Sequence, residues 1–220
     1  MAEQLLIYGN GQMAELAWAR FRRDPRHSVV GFAVDRSLVG EGELCGLPVI
    51  PFEEVERRFP PSAVRMFVAV GPVRNNHIRA DRYLRAKSMG YRFASYVSSR
   101  AVIDPAVRIG ENCSIGDNVV VDPYVRFGDD VWIGTGAVIG HHSELGDHCF
   151  VGVNCTVLGS VRIGAYSLVG AGAVIRDRIS LGDGSIVGVG ATIIRDTAPE
   201  SVHVAPEAVQ LPISSGRVRL

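Results

Sequence analysis

Lysine is almost missing: 22 of the 23 basic residues are arginine, and Lys87 stands alone. We read this bias as coding composition rather than chemistry. Net charge is missing as well, since 23 acidic residues balance the 23 basic ones. That balance argues against a general affinity for nucleic acid or for an anionic membrane surface. No apolar run approaches the roughly 18 residues that suggest a spanning helix. The opening MAEQLLIYGNG has neither a basic n-region nor a cleavage site, so neither a membrane span nor secretion is expected. The four cysteines (Cys45, Cys113, Cys149, Cys155) lack disulfide or zinc spacing. A cytoplasmic protein with reduced thiols is the simplest expectation. With 220 residues there is room for one large domain or two small ones.

What is present is a period of six. From Ile103, steps of six residues reach sixteen apolar positions in unbroken register, ending at Val187 and Ile193. Two residues before each lies a second column that is small or β-branched throughout, including Cys113, Cys149 and Cys155, which are therefore read as core packing. Glycine follows the large apolar residue at eleven of the sixteen steps. A helix repeats its apolar face every three or four residues and cannot produce this pattern. Hexads of this kind predict a parallel β-helix, with glycine supplying either positive φ or close approach at the corners. Three hexads close one triangular coil of 18 residues.

The first hundred residues alternate strand and helix. EQLLIY reads as a strand, GNGQMA as a tight turn, and the following helix places Met13, Leu16, Ala17 and Phe21 along one side. HSVVGFAVD is a second strand ending at Asp35, PFEEVERRF looks helical, and VRMFVAVG is a third strand turning at Gly71. NNHIRADRYLRAKSMG reads as a helix with Asn75 or Asn76 as N-cap and Gly90 as its stop, before a final strand YRFASYV. This grammar predicts a small parallel sheet with helices on both faces. Gly9 to Ala14 fits G-x-G-x-x-A, with Asp35 about twenty residues on, the outline of a dinucleotide fingerprint. A tight turn that needs glycine explains those residues nearly as well. A dehydrogenase would need a second mononucleotide half, and the sheet ends near residue 97. We expect an α/β domain over 1–97 and a β-helix domain with a C-terminal cap over 98–220.

Tandem [LIV]-G-x4 hexads resemble those of the hexapeptide-repeat acyltransferases. The resemblance implies a left-handed β-helix and a homotrimer with active sites between neighbouring prisms. Preceded by a short Rossmann-like domain, the repeat is similar to the sialic acid O-acetyltransferase-like group, which includes N-acetyltransferases of nucleotide-linked 4-amino sugars. In that group the N-terminal domain holds the nucleotide. The matching residues here are Gly9, Asn10, Gly11 and Glu15, then Asp35, then Gly71 and Asn75. The resemblance therefore implies acetyl-CoA as donor and a nucleotide-linked sugar as acceptor, without a metal.

Three histidines crowd VIGHHSELGDH. His141 lies two residues after the interior Ile139, at a corner and facing outward, whereas His148 lies three after Leu145, in a different phase. The relatives place their general base in V-I-x-H-x-x-x-[IL]-G, which aligns it with His141. One coil later Gly159 stands beside it, with a backbone N–H suited to an oxyanion and no side chain to crowd a thioester. A histidine titrating near neutrality suits proton removal from an attacking amine or hydroxyl. Where several relatives carry a carboxylate after this histidine, the chain has His142. A neutral ring does not raise basicity as an anion does. Glu144, Asp122 and Asp147 are further candidates to orient His141, and spacing does not choose among them. The C-terminal SVHVAPEAVQL lacks the lysine that helps relatives hold coenzyme A, leaving Arg176, Arg178 and Arg195 as substitutes. Two other readings stand beside the N- or O-acetyltransferase. One is a zinc enzyme resembling γ-carbonic anhydrase through His141, His142 and His148, and the other is a non-catalytic scaffold trimer.

Overall fold

The computed structural model describes residues 2–210 and 212. The rest of the expected C-terminal cap, Leu211 and residues 213–220, lies outside the described residues. The chain begins with β1 (Glu3–Tyr8), α1 (Gln12–Phe21) and β2 (His27–Val34), followed by a hairpin of β3 (Glu43–Leu44) and β4 (Leu47–Pro51). A single helical turn, α2 (Val55–Arg58), leads to β5 (Arg65–Val68), α3 (His77–Ser88) and β6 (Arg92–Phe93). The sheet order is β3-β4-β2-β1-β5-β6, with every pair parallel except β3 and β4. Leu5 and Ile7 of β1 pack toward α1, and Leu6 and Tyr8 pack toward α3. Burial on both faces is why β1 reads as a continuous apolar run rather than an alternating one.

Several local expectations change. Helix α1 buries Ala14, Ala17 and Phe21, while Leu16 is 40% exposed, so its buried stripe runs one step from the expected one. Strand β4 lies between Asp35 and the PFEEVERRF segment, where no strand was expected, and most of that segment is 3-10 turn and a single helical turn. YRFASYV is two strands. Arg92–Phe93 completes the first sheet, and β7 (Tyr96–Val97) pairs with Ser114–Ile115 as the first rung of the prism.

From Tyr96 onward the hexads form a left-handed parallel β-helix with three sheets of seven, six and five strands. Stacked partners are 18 residues apart, as in Ser114–Trp132–Phe150, except at the last rung, where Ile186 pairs with Val202. The interior column from Ile115 to Ile193 is buried throughout. Each such valine, isoleucine or leucine contributes about 1.5–3 kcal/mol by leaving water. The division of labour at the corners is more specific than the sequence suggested. The glycine after the interior residue serves close approach: a Cβ on Gly134 would lie 2.6 Å from the backbone of Gly152, and one on Gly110 would collide with Gly128. Positive φ falls two residues later, at every sixth residue from Asn112 to Gly190. Asn, Asp, His and Gly dominate that column because they tolerate the left-handed region. His142 (φ 58°) and His148 (φ 62°) both belong to it.

One prism face carries outward aromatics and meets the N-terminal domain. Trp132 packs 5.6 Å from Phe67, and Tyr96 packs 5.5 Å from Phe21, ring centre to ring centre. Helix α3 adds a polar clasp. Arg79 donates to Asp130 Oδ1 at 2.9 Å and to the carbonyls of Asp130, His148 and Cys149. Asn112 joins the clasp by donating to Asp130 Oδ1 at 2.7 Å.

Candidate active site

His141 sits at an exposed corner directly beneath Gly159, fixed by the backbone stacking of its coil on the next. The His142 N–H donates to the Pro123 carbonyl at 3.1 Å, and the Ser160 N–H donates to the His141 carbonyl at 2.8 Å. The imidazole lies over Gly159 so closely that a Cβ there would stand 2.7 Å from both Cε1 and Nε2. The Gly159 N–H has no acceptor among the described residues. On its other edge, His141 Nδ1 lies 3.1 Å from His142 Nδ1. The His142 ring in turn rests against Tyr124, one coil below, with centroids 4.8 Å apart.

Two of the acids named from sequence, Glu144 and Asp147, are engaged elsewhere. Glu144 lies 3.6 Å from Arg162 on the next coil. Asp147 accepts the Asp129 N–H at 2.8 Å, one rung of a ladder in which corner aspartates cap the coil below. Among the described residues, His142 is the hydrogen-bond partner of the His141 ring. His148 is not part of this corner. It is buried, with Nδ1 2.9 Å from Asp130 Oδ2 and its ring packed on Tyr166. The three imidazoles therefore do not form one ligand set, and no cluster of three or more His, Cys, Asp or Glu suited to a metal occurs among the described residues. Cys113 and Cys149 are fully buried, and burial pushes both thiols up to about 12, which suits packing and not nucleophilic attack.

A second concavity, of about 370 Å³, opens at the carboxyl ends of β1, β2 and β5. Gly9, Asn10, Gly11, Asp35 and Gly71 line it. Gly9 adopts φ 134°, and a Cβ there would meet the Ala69 carbonyl oxygen at 2.7 Å. Gly11 faces open space where α1 begins, leaving its backbone accessible to a ligand. The sequence missed two further members of this pocket, Tyr8 and Arg82. Arg82 donates through Nη2 to Asp35 Oδ2 at 2.5 Å and through Nε to the Tyr8 hydroxyl at 2.9 Å. Burial pushes the Tyr8 hydroxyl up to about 12, so it stays protonated. Asn75 does not line the pocket. Its side-chain amide donates to the Gly184 carbonyl at 2.8 Å, tying the start of α3 to the prism. Asn76 is the N-cap position but makes no side-chain cap; its buried amide donates to the Tyr166 carbonyl at 3.1 Å. A helix start wedged against another domain gives its asparagines nearer acceptors than its own turn.

The repeat family described as bacterial transferase hexapeptide (six repeats) matches residues 113–147, 124–159 and 142–177, and the hexapeptide repeat of succinyl-transferase matches 160–195. A sequence search of curated proteins returns no match. Among solved structures, the acetyltransferase domain of PglB from Neisseria gonorrhoeae is 25% identical with a TM-score of 0.84, covering 92% of this chain and 97% of that one. PerB from Caulobacter crescentus, in complex with CoA and GDP-perosamine, is likewise 25% identical at 0.84, covering 93% and 95%. WeeI from Acinetobacter baumannii shares the fold at 21% identity, with a TM-score of 0.83 over 93% and 97%. By the hexapeptide repeat over residues 113–195 and by its fold, the chain is similar to hexapeptide-repeat sugar acetyltransferases.

Proposed function

We propose that the protein transfers an acetyl group from acetyl-CoA to the amino group of a nucleotide-linked sugar, directly and within a ternary complex. The observation that carries this reading is the His141–Gly159 corner: an exposed imidazole over a glycine whose N–H is free. His141 Nε2 removes the proton of the attacking amine as the C–N bond forms. The Gly159 N–H meets the oxyanion, which contributes on the order of 3 kcal/mol. The C–S bond then breaks, and the proton passes from His141 to the departing thiolate. The pocket of Gly9, Asn10, Gly11, Asp35 and Gly71 holds the nucleotide, with Arg82 and Tyr8 fixing the Asp35 carboxylate. Asn75 has a structural role instead. The CoA and GDP-perosamine bound to PerB support this pairing of substrates. Arg176, Arg178 and Arg195 are exposed on the upper coils, where they would meet coenzyme A phosphates.

The working assembly is a homotrimer in the cytoplasm. Val102, Val120 and Val138 stack outward on one prism face, 66%, 36% and 38% exposed, an apolar column that a second copy would cover. No helix among the described residues is long and apolar enough to cross a membrane.

The test is coenzyme A release from acetyl-CoA with a panel of nucleotide-linked amino sugars and their hydroxyl counterparts, product mass being read in parallel. Release with an amino sugar, giving an N-acetyl product, and a roughly 10²- to 10⁴-fold loss of turnover in His141→Asn are expected. An ester product would make it an O-acetyltransferase. Full turnover in His141→Asn would remove the base from the mechanism.

A further inference from the structure

We propose that His142 is a positioning residue that sets the tautomer of His141 through an imidazole–imidazole hydrogen bond. The inference rests on His141 as general base and adds how that base is held. Two Nδ1 atoms 3.1 Å apart cannot both be bare or both carry hydrogen if they are bonded. With the proton on His141 Nδ1 and the lone pair on His142 Nδ1, His141 Nε2 is left bare. That nitrogen is the one beside Gly159, where acetyl transfer would occur. The opposite arrangement would put the proton on Nε2 and disable it as a base.

The surroundings hold His142 in this role. Its backbone is fixed in the left-handed conformation of the corner column, and its N–H is tied to Pro123. Tyr124 supports its ring from the coil below. On the coil above, the residues of these two columns are Gly159 and Ser160, neither of which titrates near neutrality. One coil higher stand Asp177 and Arg178, paired with each other at 3.8 Å. Glu144, on the same coil, is turned to Arg162. Among the described residues neither ring pairs with a carboxylate; Asp122, on the coil below, is in phase with Gly140, and the bonded partner of His141 is the His142 ring, acting as a neutral acceptor.

A neutral acceptor behaves differently from a carboxylate in a way that can be measured. When His142 takes up a proton at Nδ1, both facing nitrogens carry hydrogen and the bond is lost. Acid therefore breaks the bond from the acceptor side and leaves His141 without its orienting partner. As His141 accepts the substrate proton, its Nδ1–H becomes a stronger donor and the bond to His142 tightens, which favours the transition state over the ground state.

The experiment compares three variants in the acetyl-transfer assay across pH. His142→Phe keeps a ring against Tyr124 but has no acceptor. Its kcat is expected to fall roughly 10- to 100-fold, with KM for both substrates unchanged. His142→Asn restores a neutral acceptor and is expected to recover most of that loss. His142→Glu installs an anion, which favours protonated His141 and moves the acid limb to higher pH. Wild-type kcat and pH profile in His142→Phe would overturn the proposal, as would a failure of His142→Asn to improve on His142→Phe. If His141→Asn is also fully active, the base itself has been misassigned. If only the His142 variants are silent, the base stands and its orienter does not.

Discussion

Arg79 on α3 and Asp130 at a prism corner form an ion pair at 2.9 Å in which neither side chain reaches solvent. Both charges are saturated by further partners: Asn76 and three carbonyls for Arg79, and Asn112 and His148 for Asp130. A buried pair satisfied on all sides contributes little net stability compared with apolar residues, but it makes the docking of the two domains geometrically specific.

Removing one partner should therefore be expensive. Arg79→Met leaves the Asp130 carboxylate buried without its cation and is expected to destabilise the protein by about 3–5 kcal/mol. The denaturation midpoint in urea measures this. A loss below about 1 kcal/mol would show that the clasp opens without cost to the fold.

The closeness of Gly159 to His141 makes a second test. Gly159→Ala introduces a Cβ 2.7 Å from the ring's Cε1 and Nε2, so the imidazole must shift away. Turnover is expected to fall about 10²-fold, the scale associated with a misplaced catalytic group. The melting temperature should stay near that of the wild type, because the corner is at the surface. A large drop in melting temperature would mean that the glycine serves the coil rather than the chemistry.

Acid stability has a named contributor far from this corner. Asp24 accepts the Arg26 guanidinium at 2.8–2.9 Å, the Arg26 N–H at 3.0 Å and the His27 ring at 3.0 Å, and the Arg26 side chain is the main cause holding its carboxyl down to about 2. The folded value is below the unfolded value of about 3.9, so the contribution is fully present above pH 4 and is lost as pH falls through 2. Its size is about 1–2 kcal/mol. Asp24→Asn should be less stable by that amount at neutral pH, and the gap to wild type should close as pH approaches 2. A constant gap across pH would assign the effect to packing.

The sequence was legible where a rule repeats and illegible where two distant segments meet once. Ile115 through Ile193 announce the prism because every coil asks the same of every sixth residue, and the count of 18 also places Gly159 against His141. No periodicity marks Arg79, which looks like any charged residue of a surface helix until Asp130, 51 residues on, is brought beneath it. Asn75 matched a binding segment by spacing, yet the prism's Gly184 carbonyl took its amide. Asp35 was found by its place after β2, but Arg82, the residue that holds it, comes from α3, 47 residues later. The pair of facing Nδ1 atoms depends on ring orientation at one corner, which spacing cannot convey.

The stacking of like on like also restricts how this chain can vary. In the ladders of the regular coils, each strand residue from Tyr96 onward pairs with the residues of its own phase above and below it. Losing or gaining one residue inside the repeat would carry every later valine out of the interior and every left-handed corner onto a residue unsuited to it. Within the regular coils the prism therefore grows or shrinks by whole turns of 18 residues, about 4.8 Å at a time, and only the last rung, Ile186 on Val202, closes over a shorter span. Height above His141 is thus a quantised variable, and the reach of any ligand lying along the prism is set by a whole number of coils.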